Sequence, residues 1–202
     1  MSNNRIITVG RQFGSNGRAI AKRLAGQLGI QFYDRDLIEM AAERSNIHLD
    51  RLDSIDEKPA NRWLYAIPGE PINPGYTGML PINDILFEAQ CQLIKELADK
   101  EDCIFVGRCA DYVLQDYPLC RNIFIFAPIE ERTKVIMERL SLGEKEAKNL
   151  IKRTDKQRRY YYNYYTDRHW GELSNYQIAF DSSVFGIDKT ADILVAMYKA
   201  MK

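Results

Sequence analysis

Short apolar runs alternate along the chain with longer stretches whose apolar residues recur every three to four positions. The first run, "RIITVG" at 5–10, meets a helical pattern over 18–29 in which Ile20, Leu24 and Leu28 share a face and Gly29 supplies the stop. A short strand is predicted over 30–34 ("IQFYD") and a helix over 35–45. The segment 82–100 reads as a long amphipathic helix. It feeds "CIFVG" at 103–107, a continuous apolar run suited to a strand buried on both faces. A short helix over 109–116, a strand over 121–127 ("RNIFIFA") and a helix over 128–140 with proline at its start follow. A charged helix then leads into an aromatic segment across 144–170. A fifth strand at 176–181 ("YQIAFD") and a closing helix over 187–201 complete the pattern.

Periodicity weakens only over 46–81. Five of the seven prolines and three glycines fall between Lys58 and Pro81, so an irregular insertion over the sheet is expected there. Strands alternating with helices predict one three-layer α/β domain, 1–202, around a parallel sheet. Such sheets bind ligands at the carboxyl ends of their strands. That rule selects residues 10–18, 34–36, 107–111, 127–130 and 181–186.

Composition narrows the chemistry. Hydrophobic residues make up 46% of the chain, enough for a single buried core. Lys and Arg number 28 against 28 Asp and Glu. No global field attracts nucleic acid or anionic lipid, so any anion site must come from local arginines. The four cysteines, Cys91, Cys103, Cys109 and Cys120, show no CxxC spacing and read as reduced thiols rather than zinc ligands. His48 and His169 have no metal-like neighbours. No window approaches the ~18 apolar residues of a membrane helix, and a cytoplasmic protein is expected.

The stretch "VGRQFGSNGRAIAKRLA" at 9–25 carries the most specific signal. A glycine-flanked helix start presents unpaired N–H groups and a positive dipole end to an anion. Set against the phosphate-loop pattern G-x-x-x-x-G-K-[ST], Gly17 takes the second glycine, Gln12 the first, Arg18 the lysine and Ala19 the hydroxyl. Arginine keeps the charge and adds a planar fork. Alanine cannot ligate magnesium, which leaves Ser15 or a water. The bland alternative is a tight turn with Arg18 in solvent.

Phosphoryl transfer needs positive charge around the transferred group, and arginines gather at the ligand edge in three places. Arg11 and Arg18 lie in the loop, Arg108 follows "CIFVG", and Arg153, Arg158 and Arg159 sit in "KRTDKQRR". Asp34 ends the second strand and Asp111 lies just beyond Arg108. Either could position magnesium or an acceptor hydroxyl, or pair with an arginine. The tyrosines of "YYYNYYTDRHW" could stack on a base, but packing explains them more simply.

With these segments in place, the sequence resembles the cytidylate kinase-like proteins, a branch of the phosphate-loop nucleoside monophosphate kinases. The resemblance covers nearly the whole chain and rests on "GRQFGSNGRAIAKRLAGQLGIQFYDRDLI", "LFEAQCQLIKELADKEDCIFVGRCADYVL" and "YYNYYTDRHWGELSNYQIAFDSS". It implies a five-stranded parallel sheet in the order 2-3-1-4-5, an acceptor-side insertion over 46–81 and a lid over 144–170. It also implies nucleotide binding by Gly14, Ser15, Asn16, Gly17, Arg18 and Ala19, and an acceptor site at Asp34, Arg108 and Asp111. Arg18, Arg108, Arg153 and Arg158 are then the catalytic arginines, and the cofactor is Mg2+ with ATP as phosphoryl donor, Ser15 being the candidate protein ligand. Cys109 stands where cytidylate kinases carry an acid that helps read the nucleotide. The expected function is an ATP-dependent small-molecule kinase acting on a nucleoside monophosphate, CMP-like. The competing expectations are a non-catalytic nucleotide sensor and a kinase for a non-nucleotide acceptor. Small-molecule nucleotides are the expected partners; the sequence does not specify an oligomer.

Overall fold

A continuous apolar run needs cover on both faces; β3 (Cys103–Val106) is buried throughout, and β1 (Ile6–Arg11) over its first four residues. The computed structural model describes residues 3–45 and 82–201; the insertion expected over 46–81, with His48, lies outside them. With β2 (Gln31–Tyr33), β4 (Cys120–Phe126) and β5 (Ile178–Asp181), these strands form one parallel sheet in the order 2-3-1-4-5. Around it lie α1 (Gly17–Leu28), α2 (Asp36–Arg44), α3 (Ile82–Lys100), α4 (Ala110–Val113), α5 (Ile129–Leu140), α6 (Glu144–Thr166) and α7 (Ser182–Ala200).

Successive strand residues face opposite sides, and this sorts the core into two layers. Ile7, Val9, Ile104 and Ile123 pack with Ile20 and Leu24 of α1 and Leu194 of α7. Ile6, Cys103 and Phe105 pack with Leu93 and Ile94 of α3. A smaller cluster, Ile136, Ala147 and Ile151 with Phe13, joins α5 and α6 to the loop after β1. All four cysteines are free. Burial pushes the Cys91 and Cys120 thiols up to about 12, which leaves them inert at neutral pH. Among the described residues no helix is long and apolar enough to cross a membrane.

Several boundaries differ from the sequence reading by a few residues, and three of the differences have a clear local reason. β1 runs one residue beyond Gly10 because Arg11 still pairs with Ile125. α6 does not give way at the aromatic segment but continues through it to Thr166. Tyr161 and Tyr162 are buried on Cys109, and Tyr165 stacks on Phe87 with ring centroids 3.9 Å apart. These tyrosines are therefore packing residues. α7 starts at Ser182, with Asp181 accepting from Ser183 N, and its backbone breaks at Gly186 (φ 70, ψ −176), just before the predicted start.

Candidate functional site

The loop after β1 is held from beneath. Gln12 N donates to Ile125 O (3.0 Å), and Gln12 Oε1 accepts from Ala127 N (3.3 Å). Gly14 takes φ +83, and a Cβ there would fall 2.9 Å from the Arg132 carbonyl oxygen. Glycine is required at this point for both reasons. Asn16 is left-handed and caps α1 with no side-chain hydrogen bond. The first-turn amides of α1 therefore keep their donors for an anion. Asn16 Oδ1 instead accepts from Arg139 Nη2 at 2.9 Å, which brings a fifth basic residue to the loop.

In front of this loop lies a cleft of about 400 Å³, lined by Gly14, Asn16, Gly17 and Ala19 and by Arg11, Arg18, Lys22, Arg139 and Arg158. No Asp or Glu among the described residues lines it. Arg158 Nη1 donates to Arg11 O (3.2 Å), and its guanidinium sits 5.6 Å from the Phe13 ring centroid. Arg18 reaches sideways to Asp34, and Arg11 Nη2 stands 3.9 Å from the other carboxylate oxygen. The Arg18 side chain is 64% exposed, whereas that of Asp34 is only 9% exposed. Arg18 can leave this pair far more readily than Asp34 can.

A second, inner cavity of about 30 Å³ lies deeper along the sheet edge. That is room for about one water. Arg11 and Arg158 line it too, together with Arg108, Asp111 and the aromatic wall of Tyr162 and Trp170. Gly107, Arg108 and Cys109 are left-handed in succession. This turn drops Arg108 to 4% exposure. A Cβ on Gly107 would fall 2.0 Å from Arg11 Nη1, so the glycine makes room for that guanidinium.

Asp111 accepts a hydrogen bond from Tyr162 Oη at 2.6 Å. Burial nevertheless pushes its carboxyl above the ordinary carboxylate range. Burial, and then Asp111, likewise push the Tyr162 phenol up. An acid whose native value is raised stabilises the fold below its unfolded value, near ~4, and that stability is lost as pH rises through the native value. Asp111→Asn cannot titrate. Its stability relative to wild type should therefore grow as pH is raised from about 4 to 7. Urea unfolding at each pH reads this, and a difference that stays flat or shrinks contradicts a burial-dominated Asp111.

Beneath the loop, α5 and α6 are bolted together. Arg132 Nη1 meets Asp155 Oδ2 at 2.6 Å, Asp155 Oδ1 accepts from Phe13 N (2.8 Å), and Arg132 Nε donates to Ala127 O (2.9 Å).

The structure thus gathers most of the sequence candidates: Gly14, Asn16, Gly17, Arg18, Ala19 and Arg158 at the cleft, Arg108 and Asp111 at the inner cavity, Asp34 paired with Arg18. Two fall outside. Arg153 is exposed and lines neither cavity. Ser15, the candidate magnesium ligand, is 1% exposed, and its hydroxyl lies 2.9 Å from Gln12 O and 3.0 Å from Ile125 O. Ser15 is buried and does not line the cleft, so its hydroxyl does not face it. Lys22, Arg139, Arg132 and Asp155 were missed. Lys22 is one turn beyond Arg18, and Asp155 continues the buried Ala147, Ile151 stripe at helical spacing, so both left a signal. Arg139 left none.

Residues 6–184 match the family described as the cytidylate kinase-like family. No curated protein matches the chain. Among solved structures, the chain is similar to an uncharacterized protein from Eubacterium ventriosum ATCC 27560 (27% identity, 98% of this chain and 99% of that one, TM-score 0.74). It is also similar in fold to shikimate kinase from Bacteroides thetaiotaomicron (13% identity, 96% and 98%, TM-score 0.55). A third is shikimate kinase from Acinetobacter baumannii in complex with shikimate (10% identity, 100% and 97%, TM-score 0.51).

Proposed function

The chain belongs to the cytidylate kinase-like family, and from that premise we propose that it is an ATP-dependent phosphotransferase whose acceptor is a nucleoside monophosphate. The fold is that of a phosphate-loop kinase. One observation carries the reading furthest: Arg11 and Arg158 line both the loop cleft and the inner cavity. They stand at the only boundary the two spaces share among the described residues, where a γ-phosphoryl group would pass from donor to acceptor.

In this reading the α1 amides and Arg18 hold the outer phosphates of ATP, while Arg11 and Arg158 flank the group in transit. Arg108 takes the anionic end of the acceptor. The acceptor oxygen bonds to the γ-phosphorus as the bridging P–O bond breaks, and ADP leaves. Guanidiniums fixed beforehand stabilise the charge spread over the equatorial oxygens. The inner cavity must widen to admit a nucleotide, and its outer wall belongs to the 144–170 segment, so we take that segment as a lid that also brings Arg153 inward. Magnesium accompanies ATP in kinases of this fold generally. The residues in place fit the triphosphate but not a metal ligated directly by protein: Ser15 is turned away, Ala19 has no hydroxyl, and no carboxylate among the described residues lines the cleft. No step above depends on such a ligand.

The buried Ser15 hydroxyl favours a second reading, a nucleotide sensor that binds without turnover. An ATP-consumption screen across nucleoside monophosphates separates the two. The kinase reading expects one monophosphate to stimulate ATP loss, with Arg108→Ala raising the KM for that acceptor more than about tenfold. ATP binding with no stimulated consumption by any monophosphate or by shikimate selects the sensor.

A further inference from the structure

We infer that the loop cleft takes the fully ionised triphosphate, free of a divalent cation, and neutralises it with guanidinium and ammonium groups alone. This rests on the reading of the cleft as the donor site. The donor chemistry of the cleft points to it. Arg11, Arg18, Lys22, Arg139 and Arg158 line the space, and no Asp or Glu among the described residues does. The position that carries a metal-ordering hydroxyl in the phosphate-loop pattern is Ala19.

The oxygen groups nearest the sheet edge are already engaged. The Ser15 hydroxyl is tied to the Gln12 and Ile125 carbonyls. Asp34 holds Arg18, with Arg11 beyond it. Asp155 holds Arg132 and the Phe13 amide. Asp181 accepts from both Ser183 N (2.9 Å) and Ser183 Oγ (2.6 Å). A divalent cation such as Mg2+ seeks oxygen ligands, and here it would meet like charge instead. Its binding to the nucleotide also removes two of the negative charges that the five cations attract. The free anion is therefore the better ligand.

The test is titration calorimetry of the whole chain with ATP and with inorganic tripolyphosphate, each in a chelator and in excess magnesium. The expected result is binding of both anions in chelator, with ATP held about threefold or more tighter there than with magnesium. Ala19→Ser, which returns a hydroxyl to the cleft wall, should shift that ratio toward magnesium. Tighter ATP binding with magnesium in the wild-type chain overturns the inference and leaves the donor-site reading standing. Binding of neither anion under either condition overturns both.

Discussion

Replacing Arg18 with alanine should weaken ATP binding by about ten- to a hundredfold while leaving adenosine binding nearly unchanged. The side chain lies on the wall of the cleft, on the first turn of α1. A hydrogen bond with a charged partner is worth ~1.5–3 kcal/mol, and Arg18 would make such bonds to the outer phosphates. It must first leave Asp34, but an ion pair whose arginine is 64% exposed is worth only ~0–1 kcal/mol. Phosphate wins that competition.

Two further variants separate charge from geometry. Arg18→Lys should recover much of the binding, because the charge stays and only the planar fork is lost. Asp34→Asn should tighten ATP by about threefold, since it releases Arg18 from its ion pair. Calorimetric titration of the three variants with ATP and adenosine reads all of this. Equal ATP affinity in wild type and Arg18→Ala would mean that the loop does not grip a triphosphate, and the kinase reading would lose its main support.

The fold was legible because short apolar runs alternate with helical patterns, and the runs in β1 and β3 are buried as a covered parallel sheet requires. The loop was legible because glycines report backbone geometry directly: Gly14 sits at φ +83 against a carbonyl, as its placement before a helix suggested. Side-chain direction was not. Ser15 and Ala19 are both small residues beside a phosphate loop, yet one hydroxyl is folded under the sheet by Ile125, a residue 110 positions away. Arg153 and Arg158 read as one cluster in sequence. Five residues is about 140° past one full helical turn, so on α6 one faces solvent and the other the cleft. Arg139 reaches Asn16 from the end of α5, and nothing in a one-dimensional pattern marks that meeting.

The largest loss of stability should come from Asp155→Ala. Asp155 and Arg132 are among the few buried charged residues described, with side chains 12% and 9% exposed. Removing one partner of a buried pair leaves the other charge uncompensated, at a cost of ~3–5 kcal/mol. Here it also orphans the Phe13 amide, which donates to Asp155 Oδ1 at 2.8 Å. Arg132→Met alone should cost a similar amount, because it strips Asp155 of its counterion and frees the Ala127 carbonyl. The double variant should lose less than the sum of the two, since no buried charge remains. Urea unfolding gives the three values. The same bolt fixes the floor of the loop, because Phe13 immediately precedes Gly14 and α6 carries Arg158 one turn beyond Asp155. Hydrogen exchange at 12–16 should therefore speed up in Asp155→Ala, and ATP should no longer slow exchange across 144–170 as it is expected to in the wild-type chain. If Asp155→Ala unfolds within ~1 kcal/mol of wild type and its loop exchanges as before, the pair is not what holds loop and helix together.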